Sequence, residues 1–152
     1  MDDALLDLYS ERLKVLAARV KADTPLSPDT VPVGQRQVSV KRRAPLCGSV
    51  LTLDVRLDDS GRVTAVGWQA RCCALAEAAT AIVVAEAPGC TLADLVAARA
   101  VVAGLLADET MPMPADAWPD LAVLSPAAMV PSRHGSTLLA FDTVIEAVRG
   151  EG

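Results

Sequence analysis

Three cysteines are spaced so that they could act together. Cys47 lies in a turn rich in proline and glycine, residues 44–49, and Cys72 and Cys73 lie where a later strand gives way to a helix. The segment between them has the pattern of one β-hairpin, which returns its second strand to the place where the first began. We therefore expect Cys47 to lie close to the Cys72–Cys73 pair. Thiols gathered in this way could serve as metal ligands.

The composition predicts a folded protein with an aliphatic core. The chain has 152 residues, of which 52% are hydrophobic, and it contains no internal repeat, so we expect one domain over residues 1–152. Only 3% of the residues are aromatic, so Ala, Val and Leu must fill the core. A net charge of -5 gives no support to nucleic-acid binding.

Membrane and secretory roles are not indicated. No run of roughly 18 uncharged apolar residues is present, and the acidic start Met1-Asp2-Asp3 is unlike a secretory signal. Four cysteines in such a chain indicate reduced thiols, metal ligands or core residues before disulfides. We therefore expect no membrane partner and a cytoplasmic location.

The predicted elements form a small α+β domain. An amphipathic helix of about five turns covers residues 5–20, an extended connector covers 25–34, and a short edge strand covers 35–41. Alternating apolar residues at 51–57 and 63–69 predict a hairpin whose turn, residues 58–61, contains Gly61 at positive φ. We expect these strands to form a three-stranded antiparallel sheet.

Further helices are expected after the sheet, giving four to five in all. Residues 73–87 are apolar on nearly every side, which predicts a buried helix. Thr91 marks the N-cap of a helix that runs to about residue 106. Residues 108–131 contain five prolines and are predicted to be irregular, and a final helix covers 137–149.

The order of these elements and the motifs around the cysteines resemble the iron–sulfur cluster scaffold family of the IscU/SufU/NifU N-terminal type. The first family motif, Pro-x-Cys-Gly-Asp, corresponds to residues 45–49, Pro-Leu-Cys-Gly-Ser. The family's glycine turn, its aromatic residue and its second cysteine correspond to Gly61, Trp68 and Cys73. The third motif corresponds to residues 133–140. The resemblance covers about residues 4–149 and implies a SufE/NifU-like architecture.

The chain departs from the family pattern around the expected ligands. The aspartate of the first motif is Ser49, and Cys72 stands where a glycine is usual. The third cysteine is Ser136 by the best local match, or Gly135 if His134 is aligned on the family's histidine-cysteine pair. Two of the three family thiolates are therefore kept.

The resemblance implies a scaffold, not an enzyme, that receives sulfur and iron, assembles a transient [2Fe–2S] cluster and passes it to recipient apo-proteins. Cys47 and Cys73 would accept sulfur from a cysteine desulfurase and ligate iron or zinc, with Cys72 and His134 as further candidate ligands. Since a cluster or a zinc ion takes four ligands, a fourth would come from Ser136, water or a partner. Two chains could also supply Cys47 and Cys73 twice, in a homodimer.

Other interpretations remain open. A degenerate relative could bind zinc, or act as a sulfur-acceptor or regulatory module for the desulfurase, without building clusters. A thiol oxidoreductase that uses Cys72 and Cys73 is disfavoured, because vicinal cysteines close a strained ring and no Cys-x-x-Cys motif is present. Cys90 is expected to be structural, and the basic residues 41–43 are expected to form a solvated edge.

Overall fold

The computed structural model describes residues 3–150, with side chains from residue 11 onward. In chain order its elements are α1 (Asp3–Ala18), β1 (Arg36–Arg43), β2 (Val50–Leu57), β3 (Val63–Arg71), α2 (Ala74–Glu86), α3 (Leu92–Ala107) and α4 (His134–Arg149). Short 3₁₀ helices cover Pro28–Thr30, Leu121–Met129 and Pro131–Arg133. The predicted α+β class, with a small antiparallel sheet packed by helices, is confirmed.

The sheet is antiparallel with the order β1-β2-β3, so β2 is its central strand. Alternate side chains of β2 are fully buried, as expected for a strand with one face against the core. These residues are Leu51, Leu53, Val55 and Leu57. Both β1 and β2 contact α4. The alternation in β2 therefore sets which face of the sheet the helices cover.

The connector after α1 is tied to the sheet by hydrogen bonds. Thr24 and Trp68 exchange two backbone hydrogen bonds of 2.9 and 3.0 Å, which adds a short bridge to the outer edge of β3. The buried carboxylate of Asp54 accepts from the Ser39 hydroxyl at 2.8 Å and from the Leu26 N–H at 3.0 Å. These contacts hold the connector against β2 and β3, the two strands of the hairpin that joins the cysteines.

The helix α2 is central to the core, as its apolar sequence predicts. Ala78, Ala79 and Val83 are completely buried, and α1 and α4 both pack against this helix. Small side chains let neighbouring helices approach closely. Close packing around these alanines therefore fills the core without large aromatic side chains. Across residues 3–150, none of the helices has the length and apolar character needed to cross a membrane.

Three boundaries differ from the sequence-based prediction. The strand β1 continues to Arg43, so the basic residues 41–43 pair with β2 rather than following a shorter strand. The region predicted to be irregular contains the nine-residue 3₁₀ helix Leu121–Met129, in which Leu121 and Leu124 are fully buried. Pro126 lacks the N–H that an α-helix would use there. The helix α4 begins at His134, earlier than predicted.

Candidate functional site

The loop between β1 and β2 is a closed turn that presents Cys47. The Ala44 N–H donates to the Ser49 carbonyl at 2.8 Å, and the Gly48 N–H donates to the Ala44 carbonyl at 3.2 Å. Gly48 has a φ of 74°, which a glycine adopts without steric cost. Leu46, at the tip, is 79% exposed, whereas Cys47 is half-buried. The turn therefore directs the thiol partly into the protein.

Ser49 joins Cys47 to the start of α2. Its hydroxyl oxygen accepts from the Cys47 thiol at 3.0 Å and from the Cys73 N–H at 3.1 Å. The Ser49 N–H also donates to Cys47 Sγ at 3.4 Å. Since Cys73 is the N-cap residue of α2 and Ser49 is only 2% exposed, one buried hydroxyl connects the two cysteine positions. The hairpin brings Cys47 and Cys73 together, as its pattern predicts.

The start of α4 completes the surroundings of Cys47. Ser136 is 1% exposed, and its hydroxyl donates to the Arg133 carbonyl at 3.0 Å. A Cβ atom placed on Gly135 would lie 3.8 Å from Pro45 Cδ, so this helix end packs against the Cys47 loop. Neither α2 nor α4 has a side-chain cap at its N-terminus. The thiol therefore lies near two helix ends that carry partial positive charge.

The pKa of Cys47 is lowered from its ordinary value of 9.0 to about 7. Burial acts to raise it, but several hydrogen bonds to the sulfur outweigh that effect. In order of size, these come from the Ser49 hydroxyl, the Ser49 N–H, the Ser136 hydroxyl and the Cys73 thiol. Hydrogen bonds to the charged form stabilise a thiolate. Cys47 is consequently a candidate nucleophile at neutral pH.

Cys72 lies in a different environment from its neighbour. Its thiol donates to the Val50 carbonyl at 3.4 Å. Burial, followed by the negative charge of an ionised Cys73, raises the pKa of Cys72 to about 11. Because the neutral form prevails at physiological pH, Cys72 is held as a packed thiol, and its role as a metal ligand stays a prediction.

His134 does not join the two cysteines in a ligand cluster. Its Nε2 lies 3.4 Å from the Ala128 carbonyl. In the part of the chain that the structure describes, no group of three or more His, Cys, Asp or Glu side chains is arranged to hold a metal ion. Of the predicted site residues, the structure brings together Cys47, Cys73, Ser49 and Ser136.

Sequence reasoning missed what Ser49 does. The family motif identifies Ser49 only as the position of a lost aspartate, whereas in the structure its hydroxyl bonds to both cysteine positions. No local pattern could have revealed this role, because the two partners are joined only by the folded hairpin. Serine is common at helix N-termini, but this preference concerns a serine that directly precedes the helix in sequence. It therefore does not point to Ser49, which lies far from α2 along the chain.

Comparisons with known proteins agree with this fold. A family model described as the NifU-like N terminal domain matches residues 28–133, a span that includes Cys47 and Cys73 and ends before Ser136. The crystal structure of the N-terminal part of a nitrogen-fixing NifU-like protein from Brucella abortus is 29% identical, with a TM-score of 0.78. That alignment covers 95% of this chain and 94% of the other.

A second crystal structure is similar in fold alone. It belongs to a protein from thermophilic Fervidobacterium islandicum AW-1, described as an iron–sulfur cluster assembly scaffold for the SUF system. The identity is 15%, the TM-score is 0.75, and the alignment covers 97% of this chain and 99% of the other. No protein with a curated description gives a significant match to this chain.

Proposed function

Because this chain belongs to the family of NifU-like N-terminal domains, we propose that it is a scaffold-like protein of iron–sulfur cluster assembly. In this role it receives sulfur at Cys47 and Cys73, and passes sulfur or a transient cluster on to recipient apo-proteins. The observation that carries the proposal is the contact of both cysteine positions with one buried hydroxyl, that of Ser49. The sulfur donor would be a cysteine desulfurase, and the compartment would be the cytoplasm.

The two thiols differ in what they would contribute. Cys47 is the first sulfur acceptor in this scheme, because its lowered pKa of about 7 provides thiolate at neutral pH. Cys73 lies beside it at the start of α2 and is the second acceptor or an iron ligand. The protein acts by holding and transferring its cargo, so we assign it no enzymatic reaction of its own.

One chain provides an incomplete set of ligands for a [2Fe–2S] cargo. Such a cluster takes four ligands, usually cysteine thiolates. The site offers two thiols together with the hydroxyls of Ser49 and Ser136, and both hydroxyls already bond within the protein. The residues of a single chain therefore do not fit the cluster. A complete set of thiolates requires a second chain, with Cys47 and Cys73 from each, or ligands from a partner protein.

The proposal is tested by anaerobic incubation with a cysteine desulfurase, cysteine and ferrous iron. In samples quenched early, we expect mass spectrometry to find added sulfur on Cys47. At the end of the incubation, we expect visible absorption and metal analysis to find one iron–sulfur cluster bound per pair of chains. Cys47→Ser should lose both signals, whereas Cys90→Ser is the matched control and should keep them. Wild-type protein that gains neither sulfur nor iron would contradict the assembly role.

The substitutions at Ser49 and Ser136 favour a second candidate function. A chain that lacks the aspartate and the third cysteine could act as a sulfur acceptor or regulatory module for the desulfurase without binding a cluster. Ser136 supports this candidate, because its buried hydroxyl is one of the groups that lower the pKa of Cys47. In that case Cys47 would gain sulfur in the incubation described above while no iron is retained. Stoichiometric zinc in the purified protein would instead indicate a zinc-bound module.

Restoring the family ligands would separate the two candidates. The double variant Ser49→Asp with Ser136→Cys places a carboxylate and a third thiol beside Cys47 and Cys73. If the wild-type chain is a sulfur acceptor, this variant should gain tight zinc or iron binding that the wild type lacks, measured by metal analysis after dialysis. Equal, stoichiometric metal in both proteins would argue that the wild-type site already binds metal.

A further inference from the structure

Sulfur delivered to a thiol and sulfur in a cluster differ by two electrons. A persulfide carries its terminal sulfur as sulfane sulfur, whereas a cluster contains sulfide. A protein that accepts the first and provides the second must reduce the sulfur. The proposed function, on which this inference rests, leaves open where those electrons come from.

The arrangement around Ser49 places a second thiol next to the acceptor. Cys47 Sγ lies 3.0 Å from the Ser49 hydroxyl oxygen, and the Cys73 N–H donates to the same oxygen at 3.1 Å. These two bonds to one oxygen place the start of α2, and with it the Cys73 thiol, beside Cys47 Sγ. Cys47 Sγ, the atom that these contacts hold near Cys73, becomes the inner sulfur of a Cys47 persulfide. An attack on the inner sulfur releases sulfide, while an attack on the outer sulfur only moves it.

We propose that Cys47 and Cys73 form a dithiol pair that reduces sulfane sulfur to sulfide. Cys73, once deprotonated, attacks Cys47 Sγ of the persulfide. A bond forms between Cys73 Sγ and Cys47 Sγ, and the bond between Cys47 Sγ and the terminal sulfur breaks. The terminal sulfur leaves with the electron pair as hydrosulfide, and the proton of Cys73 passes to water. The two cysteine sulfurs lose two electrons in forming the disulfide, and the released sulfur gains them.

The remaining cysteines are excluded from this reaction by their positions. The Cys72 thiol donates a hydrogen bond to the Val50 carbonyl. Cys90 lies beyond the C-terminal end of α2, where its thiol donates to the Glu86 carbonyl. Ser136 also contributes to lowering the pKa of Cys47, but a hydroxyl can neither carry persulfide sulfur nor form a disulfide. Cys73 is therefore the one thiol in the described residues that is placed to resolve the persulfide. A further turnover requires a small dithiol or a dithiol protein as the reductant.

The inference is tested by loading the reduced protein with inorganic polysulfide under anaerobic conditions, followed by rapid desalting. We expect wild-type protein to release sulfide and to form one Cys47–Cys73 disulfide for each sulfide. Trypsin separates these cysteines into peptides 44–56 and 72–99, so the disulfide appears as a linked pair whose fragmentation identifies the residue. Added dithiol should restore the free thiols.

Two variants supply the controls. Cys73→Ser should keep the extra sulfur on Cys47 and release at least tenfold less sulfide than the wild type. Cys90→Ser should behave as the wild type. Wild-type protein that forms no disulfide and releases no sulfide overturns the inference, and so does transfer of the extra sulfur to Cys73 without release.

Failure of this inference is distinct from failure of the proposed function. A wild-type chain that takes sulfur from the desulfurase on Cys47 and holds it as a stable persulfide remains a sulfur acceptor without a reducing pair. A chain that refuses sulfur from the desulfurase, yet forms the disulfide and releases sulfide from polysulfide, keeps the dithiol chemistry and loses the assembly role.

Discussion

Cys47 and Cys90 each lie beside a glycine in a turn, but at opposite ends of α2. Near the beginning of this helix, the Cys47 sulfur meets N–H and O–H donors, and its pKa is lowered to about 7. Beyond the end of the helix, the Cys90 thiol meets the Glu86 carbonyl, and burial and the charge of Asp94 raise its pKa. Free backbone N–H groups favour an anion at one helix end, and free carbonyls disfavour it at the other.

The comparison shows that the hydrogen-bonding groups around a cysteine decide its reactivity. A Cys-Gly pair and a Gly-Cys pair are equally plausible turns in the sequence. Only the Cys47 thiol has hydroxyl neighbours that lower its pKa, namely Ser49 in its own turn and Ser136 at the start of α4. The difference between these thiols can be tested by changes at either end of α2.

The largest expected effect is a difference in alkylation rate at pH 7. With a pKa of about 7, about half of Cys47 is thiolate at this pH, whereas Cys72, with a pKa of about 11, is thiolate in about one molecule in 10,000. Allowing for the lower nucleophilicity of a weaker base, we expect Cys47 to react roughly 50-fold faster with iodoacetamide. Cys90 should also react more slowly than Cys47.

Mass-spectrometric mapping of the alkylated peptides gives these rates. Because the thiolate is the reactive form, the Cys47 rate should rise with pH, reach half of its maximum near pH 7 and level off above it. A Cys47 midpoint near 9.0, its ordinary value, would remove the distinction between the two ends of the helix.

Ser49→Ala should weaken the reactive end of α2. The change removes the largest hydrogen bond that stabilises the Cys47 thiolate, so the alkylation midpoint should rise toward 9.0 and the rate at pH 7 should fall several-fold. It also leaves the Cys73 N–H without its partner, at a cost of about 1–3 kcal/mol in the free energy of unfolding. Denaturant unfolding measures this loss. Ser125→Ala, at another buried serine, should leave the Cys47 midpoint unchanged.

Thr91→Ala, next to Cys90 and beyond the C-terminal end of α2, should lower the stability of the protein without changing the reactivity of Cys47. Thr91 and Asp94 form a reciprocal capping box at the start of α3, and the Thr91 hydroxyl accepts from the Asp94 N–H at 3.4 Å. Loss of this cap should lower the free energy of unfolding by about 1 kcal/mol. A shift in the Cys47 alkylation midpoint in this variant would mean that the two ends are coupled.

Glu146→Gln should have the smallest effect. Its carboxylate pairs with Arg42 at 2.7 Å, and both side chains are partly exposed, so the stability loss should be no more than about 1 kcal/mol. Comparing urea unfolding at low and high salt separates this pair from packing, because salt should weaken it in the wild type alone. A salt-independent loss of several kcal/mol would show that Glu146 does more than pair with Arg42.

The sequence predicts the framework of the site better than the site itself. The alternation of β2 and the apolar run of α2 identify the elements that meet at Cys47 and Cys73, because periodicity reports burial directly. The first two family motifs, in the right order and spacing, also identify the family, which the family model confirms. Periodicity and motif order each depend on many residues, so a single substitution does not remove them.

The long-range contacts of the site could not be predicted in this way. Ser49 reaches Cys73 across the hairpin, and Ser136 reaches Cys47 from the last helix, so neither contact leaves a trace in local sequence. The 3₁₀ helix Leu121–Met129 was missed for another reason. Prolines are typical of loops, yet the buried Leu121 and Leu124 keep this segment regular around Pro126.

The two outer strands of the sheet are protected from aggregation by different means. The bridge between Thr24 and Trp68 occupies part of the edge of β3. On the opposite side, β1 pairs only with β2 within residues 3–150, and it exposes Arg36, Lys41 and Arg43. Repeated positive charge on an edge strand repels a like strand from a second molecule. Both edges of the sheet are therefore poor templates for pairing with a second molecule.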